Sequence, residues 1–188
     1  MKISYDLYRG ISAIVKKELL FYNAYEDFYA VADKSICFKK YCTAAYGADF
    51  SQDGFSDIKQ INMILEYAPK VNDISILDIG CGNGKMLKYL QSKIGGHIYG
   101  FDYSENAINT ARSDNSPNSD FKVGIIGEIS YPEKLFDLIV SMDSVYFAKN
   151  ISDFVGQIYS WLKDDGVFFI GYQEGDIMPK TKDYETSK

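Results

Sequence analysis

Residues 74–90, Ile74-Ser75-Ile76-Leu77-Asp78-Ile79-Gly80-Cys81-Gly82-Asn83-Gly84-Lys85-Met86-Leu87-Lys88-Tyr89-Leu90, decide how the rest of this 188-residue chain is read. The first part is an apolar run, Ile74, Ile76, Leu77 and Ile79, of strand length, with Asp78 near its end. Glycines at 80, 82 and 84 follow, and Met86, Leu87 and Leu90 then fall on one face of a helical repeat. The segment reads as strand, tight turn and helix. Glycine has no side chain, so such a turn lets backbone approach a ligand closely and adopt φ > 0. The following helix turns unpaired N–H groups and a positive dipole end toward whatever lies above the strand. A polar, nucleotide-like ligand suits that position.

The glycine spacing is G-x-G-x-G, and Gly84 is followed by Lys85. A nicotinamide dehydrogenase needs G-x-G-x-x-G, so that reading fits poorly. With Asp78 two positions before the first glycine, the segment resembles motif I of the class I S-adenosylmethionine-dependent methyltransferases. The resemblance implies an α/β fold, a Rossmann-like, doubly wound and mostly parallel sheet. It also implies S-adenosylmethionine as cofactor and S-adenosylhomocysteine as product. Asp78, Gly80, Cys81 and Gly82 would then shape the cofactor pocket and hold its methionine end. Methyl transfer by in-line displacement needs little acid–base machinery, and no catalytic residue is assigned.

Downstream segments extend the resemblance. His97–Asp102, HIYGFD, is a second apolar strand that ends in an acid, spaced from Asp78 by enough chain for a helix and a return strand. A carboxylate there can accept hydrogen bonds from both ribose hydroxyls. The family uses this acid so, with the next residue against adenine, which here are Asp102 and Tyr103. Ser104 is expected to cap the helix that follows. The third strand, Phe121 to Ile126, departs from the family's F-x-x-G-D, because Ile125 stands where the acid would meet the adenine amino group. Either backbone near Ile125 and Ile126 holds the adenine, or Glu128 reaches back. Phe136–Asp143, FDLIVSMD, resembles motif IV, and its tip would face the methyl group, with Met142 in the cofactor site. Asp143 or Tyr146 could orient a substrate, although Asp143 could equally turn or cap the chain. The D/N/S-P-P-Y/F/W sequence of enzymes that methylate nucleic-acid bases is absent here. Ser152 is expected to open a helix, and Val167 to Tyr172 to form the fifth strand after a turn at 163–166.

Upstream, Ile11, Ile14, Val15, Leu19 and Leu20 recur at helical spacing, as do Tyr22, Tyr25, Phe28, Tyr29 and Ala32. The aromatic stripe is either core or a lid whose ring faces meet a sulfonium cation. AYGADFSQDGF at 45–55 is a loop, with Ser56 expected to cap a helix ending at Pro69. A YG…SQDGF stretch ahead of motif I resembles a subset of bacterial methyltransferases in which it lies beside the cofactor. It makes Tyr46 a candidate for the methionine end.

Composition narrows the partners. Twenty-six acidic against twenty basic residues give a net charge of −6 and pI near 4.8. That average field repels nucleic acid. No apolar run approaches membrane-spanning length, so no membrane partner is expected. Cys37, Cys42 and Cys81 have no metal-ligand spacing and read as free thiols, consistent with a cytoplasmic location. His97 has no second histidine with which to share a metal. The expected organisation is a helical cap or lid at 1–70, a cofactor-binding core at 71–173 and a polar tail at 174–188. The usual C-terminal strands of the fold are missing from the pattern. That would leave an open sheet edge, which truncation, the tail or a homodimer would explain. The acceptor is expected to be a small molecule, and the alternative is a cofactor-binding protein without catalytic activity.

Overall fold

Strand runs of β-branched and aromatic residues alternating with amphipathic segments fold here into one parallel sheet clad by helices. The computed structural model describes residues 21–171, so the expected helix around Ile11–Leu20 and the tail at 174–188 lie outside the described residues. Three helices come first: α1 (Tyr22–Ala32), α2 (Ile36–Tyr46) and α3 (Ile58–Tyr67). The sheet and its crossovers follow as β1 (Ser75–Ile79), α4 (Lys85–Ile94), β2 (His97–Asp102), α5 (Glu105–Arg112), β3 (Ser119–Val123) and β4 (Phe136–Met142). A 3₁₀ turn at Val145–Phe147, α6 (Ile151–Trp161) and β5 (Leu162–Gly171) complete it.

Local chemistry sets the element ends. Ser104 accepts from the Ala107 N–H and caps α5, as the sequence suggests. At α3 the cap is Asp57 rather than Ser56: Asp57 accepts from Lys59 and Gln60 N–H while Gln60 reaches back, a complete capping box. At α6 it is Asn150 rather than Ser152, because the Asn150 side chain reaches two first-turn N–H groups, one of them that of Ser152 itself.

The strand order is β3-β2-β1-β4-β5, every neighbouring pair parallel. From β1 the chain winds outward to β2 and β3, then returns to β4 on the other side of β1. Side chains alternate across the sheet. Ile76, Ile98, Leu138 and Val140 meet Ile61, Ile64, Leu87 and Ile108 on one face. Leu77, Phe101, Phe136 and Ile139 meet Phe154, Ile158 and Trp161 on the other. Both faces of β1 and β4 are buried, which is why those strands read as nearly continuous apolar runs.

Two strands differ from their expected bounds. β3 ends at Val123, because after the Gly124 N–H donates to Asp102 O the chain turns away at Ile125–Ile129. β5 starts at Leu162, directly from α6, and the pairing jumps from Phe136–Leu162 to Leu138–Val167 as residues 163–166 bulge out. Among the described residues β5 pairs only with β4, leaving its outer edge open. The three cysteines are free. No described helix is long and apolar enough to cross a membrane.

Candidate active site

In an open parallel sheet ligands bind beyond the carboxyl ends of the strands where winding reverses, here between β1 and β4. The glycine loop starts there. Gly80 and Gly82 hold φ of 73° and 51°. A Cβ on Gly80 would come within 2.6 Å of Ser144 Cβ, and one on Gly82 would overlap the Tyr29 phenol. Both the backbone conformation and the space demand glycine. The loop is stitched to β2: Gly80 and Cys81 N–H donate to Phe101 O at 2.9 and 3.0 Å, and Gly82 N–H donates to Asp102 Oδ2 at 3.0 Å.

Asp102 therefore fixes the loop and also accepts from Ser104 N–H through Oδ1 at 2.9 Å. The Tyr103 backbone N–H acts on the same carboxylate, and of its four lone-pair sites one remains for a further donor. Burial pushes its carboxyl up to about 6, against the lowering effect of those N–H donors. Asp78, on β1, is 1% exposed, and its Oδ2 has no hydrogen-bond partner. Burial first, and the Asp102 charge second, push it up to about 8. An orphaned carboxylate oxygen is costly unless a donor or cation is brought to it. Asp78 and the glycine loop line a common space, so the residues present fit a ligand carrying positive charge.

That space is a cleft of two adjoining lobes. The first, about 140 Å³, is lined by Asp102, Tyr103, Ile125, Ile126 and Met142, with Tyr25 and Phe147 toward its mouth. The second, about 60 Å³, is lined by Asp78, Gly80, Cys81, Gly82 and Asn83. Tyr29, Asp53, Gly80, Met142 and Asp143 border both. The structure thus brings together Asp78, Gly80, Cys81, Gly82, Asp102, Tyr103, Ile126 and Met142. Cys81 contributes backbone. Its thiol is buried close to the Gly100 Cα and Phe121, and burial pushes it well up.

Two candidates lie outside the cleft lining. Tyr46 lines neither lobe: it ends α2, the turn at Gly47 (φ 78°) follows at once, and its ring lies edge-on to Tyr41 at 6.0 Å. Glu128, one of the two alternatives named for this side of the cleft, lines neither lobe either. It is exposed, 3.8 Å from Lys149 Nζ, and the backbone of Gly124–Ile126 lines the cleft instead.

Several contacts that assemble the site were not visible in the sequence. The Asn83 amide donates to Phe50 O and Ser51 O at 2.9 and 3.1 Å, drawing the loop after α2 onto the glycine loop. Lys85 Nζ adds bonds to Ser51 Oγ (3.0 Å) and Asp49 (3.3 Å) and pairs with Asp33. Asp143 Oδ2 accepts from Phe55 N–H and Ser56 Oγ at 3.0 and 3.1 Å. This placement brings Asp53 to the cleft. The aromatic stripe divides its roles. Phe28 packs on Phe38, whereas Tyr25 and Tyr29, one helical turn apart, line the cleft. Glu26 anchors α1 by accepting from Asn106 N–H (3.2 Å) and Nδ2 (2.9 Å) on the first turn of α5.

A family model described as a methyltransferase domain matches residues 77–170. The chain belongs to the class I S-adenosylmethionine-dependent methyltransferases. A phosphoethanolamine N-methyltransferase of Plasmodium falciparum is 34% identical over 99 residues, covering 50% of this chain and 37% of that protein. Rat mitochondrial arginine-hydroxylase NDUFAF5 is 32% identical over 119 residues, covering 59% and 34%. The chain thus spans about a third of the length of these curated relatives. Among solved structures, the complex of the Haloferax volcanii Trm112 methyltransferase activator with a methyltransferase superposes with TM-score 0.62 at 20% identity. That match covers 78% of this chain and 58% of that one, and it carries the fold alone. One relative is named for hydroxylation and another for methylation, so within this methyltransferase family the reaction has to be argued from the site.

Proposed function

We propose that this methyltransferase-family chain binds S-adenosylmethionine in the two-lobed cleft and transfers its methyl group to a small-molecule acceptor. The observation that carries the reading is the pair of acids at neighbouring strand tips, Asp78 with an unpartnered buried oxygen and Asp102 with acceptor capacity left beyond its backbone donors, flanking a glycine loop open to one cleft.

The roles follow from position. Asp78, Gly80, Cys81 and Gly82 hold the methionine end, where a cationic amino group relieves the unpaired Asp78 oxygen. Asp102 takes the ribose hydroxyls, and Tyr103 flanks adenine together with Ile126. The backbone at Gly124–Ile126 serves the adenine amino group in place of the acid that Ile125 replaces. Met142 lies between the lobes, where the sulfur belongs. When bound, S-adenosylmethionine supplies a methyl carbon on a positively charged sulfur, and that bond breaks with its electron pair staying on sulfur as the acceptor's lone pair bonds to carbon. The chain's own work is alignment and the exclusion of water by Tyr25 and Tyr29 on the lid.

Calorimetric titration with S-adenosylhomocysteine tests the reading. Asp102→Ala should weaken binding by roughly 1.5–3 kcal/mol, the worth of hydrogen bonds to a charged group. An unchanged dissociation constant removes Asp102 from the site. Ile125 motivates the second reading, a cofactor-binding protein without catalysis. S-adenosylmethionine binding without methyl transfer to any of a panel of amines, alcohols and thiols would favour it.

A further inference from the structure

Once the glycine-loop lobe and the Asp102–Tyr103 side are given to the cofactor, a third part of the cleft is left. It is the border between the lobes and the mouth beyond it: Asp53, Asp143, Tyr25, Phe147 and Lys149. Its chemistry is lopsided. The Asp53 carboxylate makes no ion pair among the described residues, and its side chain is exposed at the mouth. Asp143 commits Oδ2 to the Phe55–Ser56 loop and remains in the lining. Tyr25 and Phe147 sit edge to face with centroids 6.2 Å apart, and Tyr146 stacks obliquely on Phe147 at 4.8 Å. Lys149, the one lysine or arginine lining either lobe among the described residues, lies beside Glu128.

From this arrangement we propose that the methyl acceptor is a small amine lacking phosphate or carboxylate, which binds as its ammonium between the Asp53 and Asp143 carboxylates and the Tyr25 and Phe147 rings and gives up one proton, through Asp53 to solvent, before its freed nitrogen lone pair bonds to the methyl carbon. The inference rests on the methyl-transfer reading and narrows it. Carboxylates and ring faces both attract a compact cation, and in a confined, partly dry cleft their attractions reinforce one another. Among the described residues, Asp53 and Asp143 put two carboxylates on this part of the cleft against a single lysine. A phosphate or carboxylate on the acceptor would enter that field without a bidentate arginine to receive it. The site therefore discriminates by repulsion of anions as much as by attraction of the amine.

The test is a two-step calorimetric titration of the whole chain. S-adenosylhomocysteine is titrated first. The saturated protein then receives phenethylamine, phenethyl alcohol or hydrocinnamate, which share a ring and differ in charge. Phenethylamine should bind at least tenfold more tightly than the alcohol, with hydrocinnamate weakest. Asp53→Asn should bring the amine to within about twofold of the alcohol and leave S-adenosylhomocysteine binding unchanged. Phe147→Leu should lower amine affinity severalfold with the same control. Equal or tighter binding of alcohol or hydrocinnamate, or amine binding unaltered in Asp53→Asn, overturns the assignment while the cofactor reading stands. Failure of S-adenosylhomocysteine to bind in the first step overturns the cofactor reading and this inference with it.

Discussion

Asp78 shows how one buried group ties stability to function. Its carboxyl rises from the ordinary 3.8 to about 8, by burial and then by the neighbouring charge of Asp102. The folded state thus binds the proton more tightly than the unfolded chain. The stability this lends is complete below about pH 3.8 and is lost as pH climbs toward 8, at a slope of up to about 1.4 kcal/mol per pH unit from this group. Asp102, raised to about 6, adds to the fall over the lower part of that window. Asp78→Asn should flatten the dependence: in thermal melts from pH 5 to 8.5 the variant gains on the parent as pH rises. Parallel curves would mean that Asp78 is not the group holding the proton. At the same scale Gly82→Ala is expected to abolish cofactor binding, since a methyl there must displace the Tyr29 phenol and hold φ near 51°. Calorimetry on the folded variant reads that loss. The glycines and both acids were legible from spacing because their chemistry is local. Asp53 was not, since its carboxylate reaches the cleft only through bonds made by Asn83 and Asp143, far away in sequence.

At the scale of elements, α1 is the part whose meaning only the structure supplies. Tyr22, Tyr25, Phe28 and Tyr29 recur at helical spacing, and spacing says that a face is apolar without saying what it meets. The answer comes from Glu26, whose carboxylate satisfies an N–H in the first turn of α5, one of the donors that a helix leaves unpaired. That bond turns Tyr25 and Tyr29 over the glycine loop. Glu26→Ala should free α1 by about 1 kcal/mol, the net worth of such a hydrogen bond. Amide exchange across Tyr22–Ala32 should accelerate about fivefold while β1 and β4 stay protected. Exchange unchanged in α1 would assign its docking to aromatic packing alone. The mistaken caps at Ser56 and Ser152 belong here too. Serine next to aspartate or asparagine is ambiguous in sequence, and the pairing is settled by which side chain the turn aims at the helix.

Over the whole molecule, alternation of strands and helices sufficed for a parallel sheet, and the right-handed crossover rule fixes a switch point between β1 and β4. What stayed hidden was assembly: the cleft draws on α1, the loop before α3, the glycine loop, the tip of β2, the turn after β3 and the end of β4. A ligand touching all of these links them thermodynamically, because it binds only the state in which they coincide. Saturating S-adenosylhomocysteine at about 100 times its dissociation constant should stabilise the fold by about 2.7 kcal/mol. For a domain of this size that is a rise of roughly 5–11 °C in melting temperature. The gain should appear together in exchange protection of α1, of residues 50–56 and of the glycine loop, although these are distant in sequence. NAD should give no such shift, because Gly84–Lys85 lacks the third glycine of its fingerprint. Stabilisation by NAD in place of S-adenosylhomocysteine would reassign the cleft to hydride chemistry, since both cofactors place a ribose on the acid that ends β2, and only the glycine loop distinguishes them.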